Sequence, residues 1–340
     1  MKLTADSIES VLVHVGLDRL GDGLLKLPFV RGLRQAFPNA HITWFAGKET
    51  TVYARSLAPL VTGLLDEIIE YGGVGSSPKE LFAKRPLAEQ TFDLVIDTQR
   101  NVWIALAVRR IRHRAFVSPA AKFLLSSNKP AAGYSFPKAM QRQMLDLLEI
   151  ASGRTFTTPS KLDLEIPDTY RQAAASLLPD GTRYAVFAPG SGGRPKCWPL
   201  DRFIDTARAA YRNGTTPVFL IGPQEEEWTG IIRDALPEAL LPLQSDAGRA
   251  YGYDPLLTIA LGARISAAVS NDSGIAHMLA VAGAPLIALY GPTVYEKFPP
   301  MSDDITVIRA ETFGSREMTS IPTDAVTDAL LQRLAGASAS

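Results

Sequence analysis

Short runs of residues that are apolar on both faces recur along this chain, each separated from the next by an amphipathic stretch. SVLVHVG (Ser10–Gly16), HITWFAG (His41–Gly47) and FDLVIDTQ (Phe92–Gln99) fall in the first half. YAVFAPG (Tyr184–Gly190), TPVFLIGP (Thr216–Pro223), ISAAVSND (Ile265–Asp272) and PLIALYGPT (Pro285–Thr293) fall in the second. Such a run fits a strand of a parallel sheet covered by helices on both sides. Helix-like segments lie between the runs, at Gly23–Ala36, Leu200–Arg212, Glu225–Ala235, Tyr253–Gly262 and Thr323–Leu334. Strand–helix–strand order predicts a doubly wound α/β fold. The alternation weakens over Thr155–Thr182, where Pro159, Pro167, Pro179 and Gly181 punctuate it. A chain of 340 residues has room for two domains. We therefore expect two Rossmann-like domains, over residues 1–165 and 166–340, the second closing on a terminal helix.

Composition narrows the partners. Lys and Arg number 35 and Asp and Glu 35, so no global basic excess argues for nucleic-acid binding. One cysteine, Cys197, can form neither an internal disulfide nor a zinc site of several cysteines, which fits a reducing, cytoplasmic setting. The opening MKLTADSIES carries Asp6 and Glu9 and no apolar core, so it does not read as a signal peptide. Ser273–Tyr295 holds no Asp, Glu, Lys or Arg, yet Gly274, His277, Gly283, Pro285, Gly291 and Pro292 break it into helix, turn, strand and turn. No membrane span is expected, and the closing GASAS is expected to fray.

Chemistry in such folds collects at the carboxyl ends of strands. There is no P-loop, no G-x-S-x-G elbow, no H-E-x-x-H and no Asp-x-Asp, the pair that commonly holds Mg²⁺ on a diphosphate. No metal or other cofactor is expected, and a diphosphate would have to be neutralised by protein groups. NDSGIAH (Asn271–His277) closes one strand. Asp272 or Ser273 can cap the following helix, Gly274 admits a ligand to the backbone, and the helix dipole favours an anion. His277 lies one turn beyond Ser273 on the same face. The plainer reading is a capped core helix with a satisfied histidine. APGSGGRPKCWP (Ala188–Pro199) closes another strand, with small residues able to form an anion nest and Lys196 to add charge. Its plainer reading is a flexible connection with a solvated lysine.

Three further features stand out. In GLDRLGDG (Gly16–Gly23), Gly21 and Gly23 allow a tight turn that places Asp22 at the domain mouth, where it can act as a general base or merely cap the next helix. Asp18 is a nearby competitor. In LIGPQEEE (Leu220–Glu227), Glu225 follows a strand, where a carboxylate can grip ribose hydroxyls. Some of the Glu225–Glu227 acids must instead be a solvated helix start. Between Arg100 and Arg142 the chain holds nine Lys or Arg and no acid, interleaved with Trp103, Phe116, Phe123, Tyr134 and Phe136. That pattern suits an amphiphile with acidic groups or an anionic membrane surface, and equally a solvated helix face.

RLGDGLLKLP, the loop G-x-x-K-x-W-P, the turn GPQEEE and NDSGIAHMLAVAGAPLIALYGPT, in this order, resemble glycosyltransferase family 9, the ADP-heptose:lipopolysaccharide heptosyltransferases. The resemblance runs from the first strand to Thr293. It implies the GT-B architecture, two Rossmann-like domains facing across a cleft, with acceptor on the first and nucleotide sugar on the second. It implies inverting, metal-independent transfer of a heptose from ADP-L-glycero-D-manno-heptose to an inner-core sugar hydroxyl. By it Asp22 is the base and Lys196 neutralises the leaving diphosphate. Ser191, Gly192, Ser273, Gly274 and His277 form the diphosphate cradle, Asp272 contacts the sugar, Glu225 the ribose and Tyr253 the adenine. Arg100, Arg109, Arg112 and Lys122 meet a phosphorylated glycolipid acceptor at the inner face of the inner membrane, which the protein touches transiently. Asn271 stands where some members carry an aliphatic residue, and the segment after Thr293 lacks cysteines that many carry. Two other readings use the same features: a related transferase with another nucleotide sugar, and a non-catalytic nucleotide-sugar or glycolipid binding protein.

Overall fold

A computed structural model of the chain describes residues 7–336. Met1–Asp6, the start of the opening segment, and Ala337–Ser340, nearly all of the GASAS tail, lie outside the described residues. The chain divides into two compact units, Met1–Pro159 and Ser160–Ser340, a division that falls inside the proline-rich Thr155–Thr182 stretch.

The N-terminal unit is built on a five-stranded parallel sheet in the order β3-β2-β1-β4-β5. Its strands are β1 (Ser10–Val15), β2 (His41–Ala46), β3 (Glu67–Ile69), β4 (Thr91–Asp97) and β5 (Arg112–Val117). Register runs from Ser10 opposite His41 to Val15 opposite Ala46 on one side of β1, and from Val11 opposite Leu94 to His14 opposite Asp97 on the other. Helices α1 (Leu20–Ala36), α2 (Val102–Val108) and α3 (Met140–Ser152) complete it, α1 packing on α3. Val11–Val15 and Ile42–Ala46 are wholly buried, which is why these strands carry no polar face.

The C-terminal unit also has a five-stranded parallel sheet, in the order β10-β9-β8-β6-β7. Helix α4 (Asp168–Leu177) leads into β6 (Tyr184–Ala188), α5 (Leu200–Arg212), β7 (Thr216–Phe219) and α6 (Trp228–Ala235). A short α7 (Asp246–Arg249) and α8 (Pro255–Gly262) precede β8 (Ala267–Asn271), α9 (Gly274–Val281), β9 (Leu286–Tyr290), β10 (Ile305–Arg309) and α10 (Thr323–Gly336). Helix α5 packs against α10, and α8 against α4 and α9. Phe187 stacks on Phe219 at 5.3 Å between ring centres, and Trp198 meets Phe203 edge-on at 5.0 Å. Each such ring, fully withdrawn from water, contributes about 1.5–3 kcal/mol.

The α/β fold with two parallel sheets is the one the sequence implied. It also fixes where each unit can hold a ligand. Strand order reverses between β1 and β4 in one sheet and between β6 and β8 in the other. The crevice beyond the carboxyl ends at such a reversal is the ligand position of open α/β sheets.

One local expectation is corrected. Helix α1 starts at Leu20, so Gly21, Asp22 and Gly23 form its first turn and not a turn before it. Gly23 is there for space: a Cβ on it would lie 2.5 Å from a Val52 methyl and 3.1 Å from Leu57, and the Tyr53 hydroxyl donates to its carbonyl at 2.7 Å.

Candidate active site

In the C-terminal unit the loops after β6 and β8 meet at the strand-order reversal. Asn271, the last residue of β8, is fully buried and holds both ends of the glycine-rich loop. Its Nδ2 donates to the Pro189 carbonyl at 2.7 Å, and its Oδ1 accepts the Trp198 N–H at 3.0 Å. The Trp198 indole N–H donates onward to the Ile321 carbonyl at 2.9 Å. Between these anchors the Ser191 hydroxyl donates to the Asp272 carbonyl at 2.8 Å, tying the loop to the start of α9. Gly192 faces open space: a Cβ there would meet nothing within 4 Å.

Ser273, and not Asp272, caps α9, its hydroxyl accepting the Ala276 N–H at 3.4 Å. The first-turn N–H groups at Gly274 and Ile275 have no carbonyl within the helix to bind, and they sit at its positive end. The Asp272 carboxylate, free of the capping role, is mostly buried with a side chain 16% exposed, and the Lys196 ammonium lies 3.6 Å from it. Lys196 rides on the helical turn Arg194–Lys196, and its side chain is 38% exposed. Lys196, Asp272, Ser273, Gly274, Ser191 and Gly192 therefore come together, as expected from the sequence. Ser191 serves mainly as a tether, its hydroxyl already engaged.

The three acids after β7 divide cleanly. Glu225 is buried, its carboxylate lodged so that a Cβ on Gly190 would lie 2.8 Å from it and one on Gly222 3.1 Å. Burial raises its pKa above the ordinary value, against the opposing pull of the Ser191 N–H and Arg194. Glu226 pairs with Arg249 at 2.6 Å and accepts from the Tyr253 hydroxyl, and Glu227 pairs with Arg194. The Arg194 guanidinium lies over the Trp228 ring at 4.5 Å. Tyr253 sits at a left-handed φ of 62°, next to Gly252 at 56°, and burial and Glu226 raise its hydroxyl pKa. A bulky residue held there is strained, a mark of functional turns.

His277 is buried in α9, and desolvation pushes it down to about 4, against the opposing field of Asp272. Its Nδ1 has no hydrogen-bond partner in the structure. Burial therefore favours the uncharged ring.

The N-terminal unit separates the two aspartates of its first loop. Asp18 is buried and saturated: Trp44 Nε1 donates to it at 2.8 Å, the Thr51 hydroxyl at 2.9 Å, and the buried Lys26 ammonium forms an ion pair with it. Asp22 is half-buried at the third position of α1 and accepts the Arg19 N–H, the reciprocal contact of a helix cap. Burial raises its pKa, Lys26 lowers it and Asp18 raises it. Asp22 is thus a cap of α1 whose half-buried carboxylate still reaches the surface, so the capping alternative of the sequence reading holds. At the strand-order reversal beside it, His14 Nδ1 and Asp97 are 2.8 Å apart, and Asp97 also accepts from the Ser118 hydroxyl at 2.8 Å.

The expected acceptor residues do not form one patch. Arg100 follows β4 and lies over the Phe136 ring at 4.1 Å; Lys122 follows β5 at a left-handed φ of 53°, between Ala121 at 49° and Phe123 at 65°. Both stand at the carboxyl edge, with exposed Trp103 and Leu124. Arg109 and Arg112 flank the start of β5, so the return of α2 puts them at the opposite edge from Asp22. Arg114 pairs with Asp93 at 2.8 Å, and Arg142 is taken up by Asp146 and Glu149 at 2.7 Å each. Arg110 donates to the Glu80 and Ala83 carbonyls, so three members of the charge run are taken up by the fold, while Arg109, Arg112, Lys122, Lys129 and Lys138 are exposed.

Asn271 is the residue whose part the sequence did not disclose. It stood out only as a departure, because its two partners are backbone groups 73 and 82 residues away.

The sequence pattern of glycosyltransferase family 9 (heptosyltransferase) matches residues 82–322. The chain is 38% identical over 125 residues to lipooligosaccharide heptosyltransferase 2 of Haemophilus influenzae, a match that covers 36% of this chain and 35% of that one. It is 26% identical over 301 residues to lipopolysaccharide heptosyltransferase 3 of Escherichia coli, covering 84% and 83%. The solved structure of Escherichia coli heptosyltransferase WaaC with ADP matches the fold with a TM-score of 0.66 at 21% identity, over 95% of this chain and 99% of that one. With the family pattern running through more than half of its length, the chain belongs to glycosyltransferase family 9, the heptosyltransferase family, and is a glycosyltransferase.

Proposed function

We propose that the protein moves a heptose from ADP-L-glycero-D-manno-heptose to a hydroxyl of the lipopolysaccharide inner core, with inversion and without a metal ion. The observation that carries this reading is the Lys196 ammonium held 3.6 Å from Asp272 at the N-terminus of α9. A cation and unpaired N–H groups fixed in one place suit a departing diphosphate. The sequence holds no Asp-x-Asp, so that charge falls to protein groups. The relatives from Haemophilus influenzae and Escherichia coli bear heptosyltransferase names, and the WaaC structure is described with ADP.

In the proposed reaction the acceptor hydroxyl gives its proton to the Asp22 carboxylate as its oxygen attacks the anomeric carbon. The bond from that carbon to the diphosphate oxygen breaks, and its electron pair leaves with ADP. Lys196 and the N–H groups of Gly274 and Ile275 offset the developing charge. Attack from the face opposite the leaving group inverts the centre. Glu225 takes the ribose, Tyr253 the adenine, and Asp272 and neutral His277 the sugar and phosphate oxygens. Arg100 and Lys122, beside exposed Trp103 and Leu124, meet a phosphorylated glycolipid at the inner face of the inner membrane. Among the described residues no helix is long and apolar enough to cross a membrane, so that contact would be peripheral.

Calorimetric titration with ADP, UDP and GDP, with and without EDTA, tests the reading. Selective ADP binding unchanged by EDTA supports it. Preference for UDP or GDP removes heptose as the donor sugar, and binding of none of the three removes the nucleotide-sugar reading altogether.

A further inference from the structure

The glycine-rich loop that carries Lys196 has one short helical turn of its own, Arg194–Lys196, and is tied in its middle by Ser191 to Asp272 and by Arg194 to Glu227, but its glycines add no packing. Gly192 and Gly193 place no side chain against the body of the protein: a Cβ on Gly192 would meet nothing within 4 Å, and one on Gly193 only the Pro195 ring at 3.9 Å. The loop is instead fixed from outside. One buried amide, that of Asn271, grips Pro189 where the loop leaves β6 and Trp198 where it rejoins the body. Trp198 is two residues beyond Lys196. The next residue after Asn271 is Asp272, the partner of the Lys196 ammonium, and Ser273 then caps α9. The loop ends and the start of α9 thus share one short piece of backbone.

We infer that Asn271 is a positioning residue for the leaving diphosphate: by holding both ends of the Pro189–Trp198 loop it sets Lys196 against the N-terminus of α9. The inference rests on the donor reading proposed above. An aliphatic residue at 271 fills the same space but leaves a buried N–H and a buried carbonyl unpaired. An aspartate keeps an acceptor for the Trp198 N–H and turns a carboxylate oxygen toward the Pro189 carbonyl, releasing one end only. A serine is too short to reach either end.

The test is a double-mutant cycle on the full chain, read as ADP affinity by calorimetry, with Asn271→Ser, Lys196→Ala and the two combined. If Asn271 acts through Lys196, Asn271→Ser weakens ADP about tenfold, a hydrogen-bonded contact's worth, and Lys196→Ala costs little more in that background. Independent effects would multiply, as they do for a change that merely loosens the fold. Circular dichroism and a thermal melt establish that each variant is folded. If Asn271→Ser does not fold, Asn271→Asp takes its place in the same cycle, with amide exchange at Gly192–Cys197 as a second readout. ADP affinity within twofold of wild type, or an undiminished Lys196→Ala effect, overturns the inference while the donor reading stands. A wild-type protein that binds no ADP overturns the donor reading and this inference with it.

Discussion

Asp18 and Asp22, four residues apart in the same loop-to-helix junction, have opposite surroundings. Asp18 is buried under an indole N–H, a hydroxyl and the Lys26 ammonium, whereas Asp22 is half-buried, with a backbone N–H as its contact and a raised pKa. One is spent on structure and the other is available for proton transfer. The difference can be measured.

If Asp22 is the base proposed above, Asp22→Ala should nearly abolish turnover while leaving ADP affinity close to wild type, since a base serves the acceptor hydroxyl and not the nucleotide. Its melting temperature should fall only modestly, by the loss of one helix-end contact and far less than for Asp18→Ala. Near-normal turnover in this variant would remove Asp22 as the base.

Asp18→Ala should behave in the opposite way. It strands the Lys26 ammonium in a buried site without its partner, a change that costs about 3–5 kcal/mol. A thermal melt should show a large drop, and the folded fraction should keep its ADP affinity. A melt unchanged from wild type would contradict the buried ion pair.

The base catalysis proposed for Asp22 has a definite pH signature. The carboxylate is the active form, so kcat/KM should fall as pH falls through the Asp22 pKa, which burial lifts above 3.8. Lys26 opposes that lift. Lys26→Met should therefore move the acid limb to higher pH, and Lys26→Arg should leave it near the wild-type position. A limb that stays put in Lys26→Met would disconnect Asp22 from the profile.

His277 links stability to pH. Its folded pKa is near 4 against an ordinary 6.5, because burial disfavours the charged ring. The neutral form is the one the fold accepts. The stability it contributes is present above pH 6.5 and is lost as pH falls through about 4, with a span on the order of 3 kcal/mol. Melting temperatures measured from pH 7 to pH 4 should fall less steeply in His277→Phe than in wild type. Parallel curves would place the acid sensitivity elsewhere.

At the basic surface, the split between sheet edges predicts unequal effects. Reversing charge at Arg100 and Lys122 should raise the KM for a phosphorylated acceptor by about tenfold or more, as loss of charge-assisted contacts does. The same change at Arg109 and Arg112, on the far edge, should alter it less. Equal effects from both pairs would mean that the acceptor is met by long-range charge alone.

Much of this architecture was legible in the sequence, for a physical reason. Strands buried on both faces, such as β1, β6, β8 and β9, are mainly apolar, and loops at their carboxyl ends carry glycine and proline where ligands approach. Three of the four edge strands, β3, β5 and β10, were hidden, whereas β7, buried over most of its length, was not. All residues of β3 and β10 are partly exposed, β3 is short, and β5 opens on Arg112 and Arg114, so none of them presents a run that is apolar on both faces. The first turn of α1 was misread because Gly21 and Gly23 look like turn residues. Close approach to Val52 explains Gly23, and that contact comes from a segment about thirty residues on. Asn271 was opaque for the same kind of reason: an amide that serves two distant backbone groups leaves no periodic trace. Local pattern reported elements and ligand loops; what fixes those loops in space was written between distant positions.

Clasping a loop at its two ends has an evolutionary consequence. The frame set by Asn271 does not depend on what stands in the middle of the loop, and Gly192 there is outside the left-handed region and borders open space. A side chain can be added at that position without disturbing Pro189, Trp198 or Lys196. On the donor reading, whatever keeps position 192 small is therefore the ligand beside it and not the packing of the fold, so selection there acts on the phosphate grip directly.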